Sequence, residues 1–96
     1  MKALYLKGFI DGKPLTKILV DGGAAVNLIP YSTFRKLGKK AKDLCPTDMR
    51  LTDFGGNISV TKGVVCVELI VGSKSLPSTF FVVDAKGTYS ILLGRD

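Results

Sequence analysis

Asp21 is set in Lys17-Ile18-Leu19-Val20-Asp21-Gly22-Gly23-Ala24-Ala25-Val26-Asn27-Leu28-Ile29, one acid and two glycines between two apolar, largely β-branched runs. With Val20 and Ala24 close by, the sequence predicts a carboxylate with little room for water. Such a group must be paired, hydrogen-bonded or neutralised by a raised pKa, and an acid kept in that setting is suited to proton transfer. The chain contains no histidine, which excludes Ser-His-Asp and Cys-His relays and most zinc sites. Carboxylate chemistry is what remains.

The elements that must position Asp21 follow from the flanking pattern. Leu4, Leu6 and Phe9 alternate with polar or small neighbours, Asp11-Gly12-Lys13 is a turn signal, and Lys17 to Val20 resumes an apolar run. This reads as a β-hairpin that delivers Asp21 at a strand end. Gly22-Gly23 permit a tight loop, and Ala25 to Ile29 read as a short strand leading to Pro30. Pro30 suits the first turn of a short helix, where Tyr31, Phe34 and Leu37 recur at helical spacing and Gly38 provides the stop. That stripe is expected to be core.

Leu51 to Val65 carries Asp53-Phe54-Gly55-Gly56-Asn57 between extended segments, the pattern of a hairpin with a glycine tip that can close over a ligand. Val64 to Val71 and Thr79 to Val83 are the longest β-type runs, joined across Gly72-Ser73-Lys74. Val65, Val67 and Leu69 are expected to face the core, and Cys66 and Glu68 the opposite side. A last apolar strand runs through Tyr89-Ser90-Ile91-Leu92-Leu93 into Gly94. Asp53 and Asp84 lack the apolar flanks of Asp21 and are assigned no catalytic role. A competing reading makes Asp21 a turn-forming acid that accepts from the following glycine amides, as is expected of Asp11 before Gly12. The apolar strands on both sides of Asp21 argue against it.

At 96 residues the chain is read as a single domain over 1–96, too small to enclose a deep two-walled cleft unless a second copy contributes. Val, Ile and Leu are abundant and there are 11 glycines and no tryptophan, so a β-rich fold is expected. No apolar run approaches the roughly 20 residues needed to cross a bilayer, and the apolar part of the N-terminus is too short for a secretory signal. An intracellular, cytoplasmic location without membrane contact is therefore expected, with Cys45 and Cys66 as free thiols. The net charge of +6 is concentrated in Arg35, Lys36, Lys39, Lys40 and Lys42. Without interleaved exposed aromatics this cluster reads as a solvated helix end and loop rather than a nucleic-acid surface, though its charge can attract acidic partners.

Taken together, Ile-Leu-Val-Asp-Gly-Gly-Ala at 18–24, the glycine-tipped segment at 55–57 and Ile-Leu-Leu-Gly-Arg-Asp at 91–96 resemble a retropepsin. More narrowly, Val-Asp-Gly-Gly-Ala-Ala-Val-Asn-Leu-Ile-Pro and Phe-Phe-Val-Val-Asp…Leu-Leu-Gly-Arg-Asp resemble the protease domain of plant gypsy-type long-terminal-repeat retrotransposon polyproteins, over nearly the whole chain. The resemblance implies an all-β, closed-barrel acid-protease fold with one short helix and a two-fold dimer. Asp21 of each copy would meet at the floor of a shared cleft.

By the same resemblance, Asp21 is the catalytic acid and Gly22, Gly23 and Ala24 form its loop. Phe54, Gly55, Gly56 and Asn57 form a flap, and Leu93, Gly94, Arg95 and Asp96 support the catalytic loop. The implied activity is an aspartic endopeptidase acting on extended peptide or polyprotein, with no metal or cofactor. The chain departs from the pattern in two ways. Gly22 stands where most members carry Thr or Ser, whose hydroxyl braces the dimer, and the end at Asp96 falls short of the helical turn and terminal strand of many relatives. Both changes imply a weaker dimer and slower catalysis. They leave as alternatives a catalytically weak or inactive domain for dimerisation or peptide binding and, on charge alone, a nucleic-acid-binding barrel.

Overall fold

The computed structural model describes residues 4–47, 50–52, 58–84 and 89–94. Strands β1 (Leu4–Ile10) and β2 (Lys13–Val20) form the expected hairpin, paired antiparallel from Leu4↔Val20 to Ile10↔Lys13. Its two-residue turn places Asp11 at φ 48° and Gly12 at φ 84°. A short strand β3 (Leu28–Pro30) leads directly into helix α1 (Tyr31–Lys36), with Pro30 as the N-cap and Gly38 beyond the helix end at φ 80°. Proline supplies its fixed φ where no donor is needed, and glycine adopts the left-handed turn that closes the helix. Phe34 and Leu37 are buried, as their spacing requires.

Strand β4 (Arg50–Thr52) pairs antiparallel with the start of β5 (Ile58–Val71), which then pairs along its length with β6 (Lys74–Val83). On β5, Val65, Val67 and Leu69 are buried and Cys66 and Glu68 exposed, the alternation read from the sequence. The strand is longer than its apolar run because a register shift between Thr61 and Gly63 lets it bend and continue. β6 likewise starts before Thr79. Pro77 pairs with Glu68 in a stretch that β3 does not reach, where its missing N–H breaks no ladder. The last strand, β7 (Ile91–Leu93), inserts between β2 and β3, parallel to the first and antiparallel to the second.

The order β1-β2-β7-β3-β6-β5-β4, with β1 also paired to β5, closes six strands into a barrel and leaves β4 appended to β5. Ile10, Ile18, Ile29, Phe34, Phe80 and Ile91 are fully buried in its interior. At the β1–β5 closure a side chain on Gly8 would meet the Ile70 carbonyl and lie 2.9 Å from the Ile18 Cδ1, so only glycine allows that approach. Cys45 and Cys66 are free and exposed. Among the described residues no helix is long and apolar enough to cross a membrane.

Candidate active site

Asp21 stands at the C-terminal end of β2, where the parallel pairing with β7 finishes at Val20↔Leu93. Its amide donates to the Leu93 carbonyl at 2.9 Å, which extends the ladder by one bond, and its carbonyl accepts the Ala24 amide at 3.1 Å, which closes the turn. The Oδ1 atom accepts the Gly23 amide at 2.9 Å. Among the described residues no group bonds Oδ2. The backbone therefore fixes the carboxylate at one oxygen and leaves the other to a ligand.

Two expectations for this turn are corrected. Asp21 is partly exposed in the single chain rather than shielded by Val20 and Ala24, which are themselves only partly buried. It also makes the glycine-amide bond that had been reserved for a purely turn-forming acid. Asp11, expected to make such a bond, instead accepts the Glu68 amide at 2.9 Å and pairs with Lys39 at 2.9 Å.

The loop after Asp21 rests on β7. A Cβ on Gly94 would lie 2.8 Å from the Ala24 carbonyl oxygen and closer still to that of Val26, so glycine alone lets the loop backbone pass. Gly22 is different: a Cβ there would meet nothing within 4 Å, and its φ is not in the left-handed region. A hydroxyl-bearing residue at this position fits the single chain.

Strand β3 begins at Leu28 and not at Ala25, because residues 24–27 pack on Gly94 and Asn27 is turned to another task. Its Oδ1 accepts the Gly94 amide at 2.9 Å, its Nδ2 donates to the Thr79 carbonyl at 3.2 Å, and its own carbonyl accepts the Phe81 amide at 2.9 Å. Asn27 thus ties the loop to β6 and β7, a role the sequence reading missed. A lone amide between Val26 and Leu28 was the available signal. Beside it, a cavity of about 310 Å³ is lined by Ala25, Val26, Asn27, Pro77, Ser78, Thr79 and Phe81.

Of the residues singled out from sequence, Asp21 is thus brought against Leu93 and Ala24 against Gly94, while Gly23 bonds Asp21 and Gly22 faces open space. Phe54, Gly55, Gly56, Asn57, Arg95 and Asp96 lie outside the described residues.

A barrel closed around a strand-end Asp-Gly-Gly turn that is backed by the glycine following the last strand defines the acid-protease class. The aspartyl protease family model matches residues 6–96, and the chain belongs to that family. Its fold is similar to that of EIAV protease solved with the inhibitor HBY-793, at 19% identity over 97% of this chain and 82% of that one, TM-score 0.76. It is also similar to the retroviral protease-like domain of Ddi1 from Leishmania major, at 19% identity over 98% of this chain and 73% of that one, TM-score 0.72. A retropepsin-like aspartic protease from Rickettsia conorii follows at 23% identity over 96% of this chain and 67% of that one, TM-score 0.70. No curated protein sequence matches the chain significantly.

Proposed function

We propose that the chain is a homodimeric aspartic endopeptidase in which Asp21 of two copies forms one catalytic pair. The observation that carries the reading is the Asp21 carboxylate itself, held at Oδ1 by the Gly23 amide with Oδ2 unengaged, at the end of a strand braced by β7. Two such carboxylates brought within about 3 Å cannot both ionise cheaply, so the pair holds one proton and titrates in two separated steps. The ionised Asp21 takes a proton from water as that water attacks the peptide carbonyl. The protonated mate hydrogen-bonds the carbonyl oxygen as it becomes tetrahedral. The second copy supplies the desolvation that one copy lacks.

On this reading the whole of 1–96 acts as one domain, Phe54, Gly55, Gly56 and Asn57 cover an extended peptide, and Arg95 and Asp96 continue the support given by Gly94. The substrate is a polyprotein of the retrotransposon type, from the plant gypsy-type resemblance, processed inside the cell. Gly22 supports a second reading. Without a side chain it offers no hydroxyl to brace the dimer, a loss of roughly 0.5–1.5 kcal/mol for each such bond. Dimer stability depends on mass action, so a catalytically weak or inactive domain that dimerises or binds peptide is the alternative.

The test is cleavage of a long unstructured polypeptide at about pH 4–6, where a shared-proton pair is competent, at high protein concentration. Cutting by the native chain that disappears in Asp21→Asn is expected. Absent cutting, or cutting indifferent to Asp21, moves the reading to the non-catalytic domain.

A further inference from the structure

A cavity of about 520 Å³ lies away from the Asp21 turn, between the first half of β2, helix α1 and the residues that lead into β7. Lys13 and Lys17 reach it from β2 and Lys36 from α1, with the hydroxyls of Thr16, Ser32 and Ser90 between them. No carboxylate is among the described residues that line it. Asp11 lies within electrostatic range of Lys13 but forms its ion pair with Lys39. The ammonium groups of Lys17 and Lys36 have no ion-pair or hydrogen-bond partner among the described residues. Lys13 donates to the Leu37 carbonyl just past α1, a contact that links the two walls.

Strand β2 also has a free edge here. β1 pairs with one side of it at Lys13, Pro14 and Leu15, whereas β7 pairs with the other side only from Ile18 to Val20. The Ser90 amide adds one bond to the Lys17 carbonyl. Before that point no described strand covers the outer edge of β2, and Pro14, with no N–H to offer, is suited to such a position.

We infer that this cavity docks an acidic peptide, an extended glutamate- or aspartate-rich segment that adds to the free edge of β2 while Lys17 and Lys36 pair with its carboxylates. A strand edge offers a peptide alternating donors and acceptors that its own backbone completes as a ladder, which a nucleic acid backbone, with no N–H donors, does not. Tyr89, the aromatic residue among the described lining, is half-buried. Burial holds its hydroxyl above the usual tyrosine range, so it remains a neutral donor toward a carboxylate. The parallel strands β2 and β7 carry the cavity at their N-terminal ends and the Asp21 turn and Gly94 at the other. Lys17 and Asp21 are four strand residues apart, about 13 Å. A chain held here can reach the Asp21 turn, but the docking does not depend on catalysis.

The test is fluorescence anisotropy of a labelled polyglutamate peptide titrated with the full chain near neutral pH, with a polyglutamine peptide and a short oligothymidine as companions. Saturable polyglutamate binding is expected to weaken roughly tenfold or more in Lys17→Glu/Lys36→Glu and to change less in the charge-matched Lys42→Glu/Lys74→Glu, whose residues do not line the cavity, since close charge pairs outweigh more distant ones in salt. Circular dichroism confirms that both variants fold, as expected for exposed side chains. Equal weakening in both variants, no binding of polyglutamate, or tighter binding of oligothymidine overturns the proposal. Asp21→Asn is expected to bind polyglutamate as the native chain does, which separates this site from the catalytic reading.

Discussion

The two Asp-Gly turns that bound β2 use the same residue types in opposite ways. At the hairpin end, Asp11 adopts positive φ and spends both oxygens on the fold, one on the Glu68 amide and the other on Lys39. At the far end, Asp21 spends one oxygen on its own turn through the Gly23 amide and keeps the other unengaged. The glycines divide in the same way. Gly12 sits at φ 84°, where a side chain is strained, whereas Gly22 faces open space in an ordinary conformation. What separates a structural acid from an available one here is the tertiary partner: Glu68 and Lys39 close on Asp11, and only the loop's own backbone closes on Asp21.

Exchanging the carboxylates is the most drastic way to break that comparison. Asp21→Asn is expected to lower peptide cleavage by roughly 10²-fold or more, since a general acid–base group is lost, with little change in unfolding midpoint because its amide oxygen still accepts from Gly23. Asp11→Asn is expected to leave cleavage intact and reduce stability. Loss of activity in both variants, measured beside denaturant unfolding, would break the distinction.

The support of the Asp21 turn gives the next largest effects. Gly94→Ala forces the loop carbonyls of Ala24 and Val26 aside and is expected to cost about 1–3 kcal/mol in urea unfolding. Asn27→Leu strands the Gly94 amide and the Thr79 carbonyl and is expected to cost a comparable amount, about 1–3 kcal/mol. An unchanged midpoint in either variant would remove β7 and β6 from the account of the loop.

Glycine substitutions sharpen the contrast at smaller scale. Gly12→Ala is expected to destabilise by about 1 kcal/mol because of its positive φ, and Gly22→Ala to be neutral or slightly stabilising. Gly22→Thr is expected to leave the isolated chain equally stable and to tighten self-association in analytical ultracentrifugation. A destabilised Gly22→Thr chain would show that the turn is more crowded than its geometry indicates.

The smallest effect is the pH dependence of Asp11. Partial burial pushes its pKa up, but the Glu68 amide and the charges of Lys39 and Lys13 outweigh it and hold the group below the ordinary carboxylate value. A depressed pKa contributes stability that is present above the unfolded value, about 4, and is lost as pH falls through the folded one. Acid unfolding of Asp11→Asn is therefore expected to show a shallower loss of stability below about pH 4 than the native chain, by less than 1 kcal/mol at so exposed a pair. Parallel acid limbs would contradict the assignment.

The sequence carried the local elements well. Asp11-Gly12 placed the hairpin, Pro30 and Gly38 bounded α1, and the alternation through Val65, Val67 and Leu69 set the face of β5. What it did not carry depends on partners distant in the chain. Residues 25–27 have strand-like composition but pack as a loop against Gly94, and Asn27 joins elements more than 50 positions away in sequence. The β-type run read from Thr79 begins earlier, at Lys74, because β5 pairs with residues 74–78 as well, Pro77 included, in a stretch that β3 does not reach. The position of Asp21 was legible from its motif, but its exposure was not: burial of a strand end depends on what covers the barrel rim, and in one chain nothing described covers Oδ2.

The central claim is that two copies of Asp21 make one site, and mixing tests it most directly. Native chain is held at a fixed concentration while Asp21→Asn chain is added in increasing excess, and cleavage is followed at about pH 4–6. If each site needs one carboxylate from each copy, mixed dimers carry a single ionisable Asp21 and activity falls toward zero as the variant captures the native chain. Activity that is indifferent to excess variant would contradict a shared site.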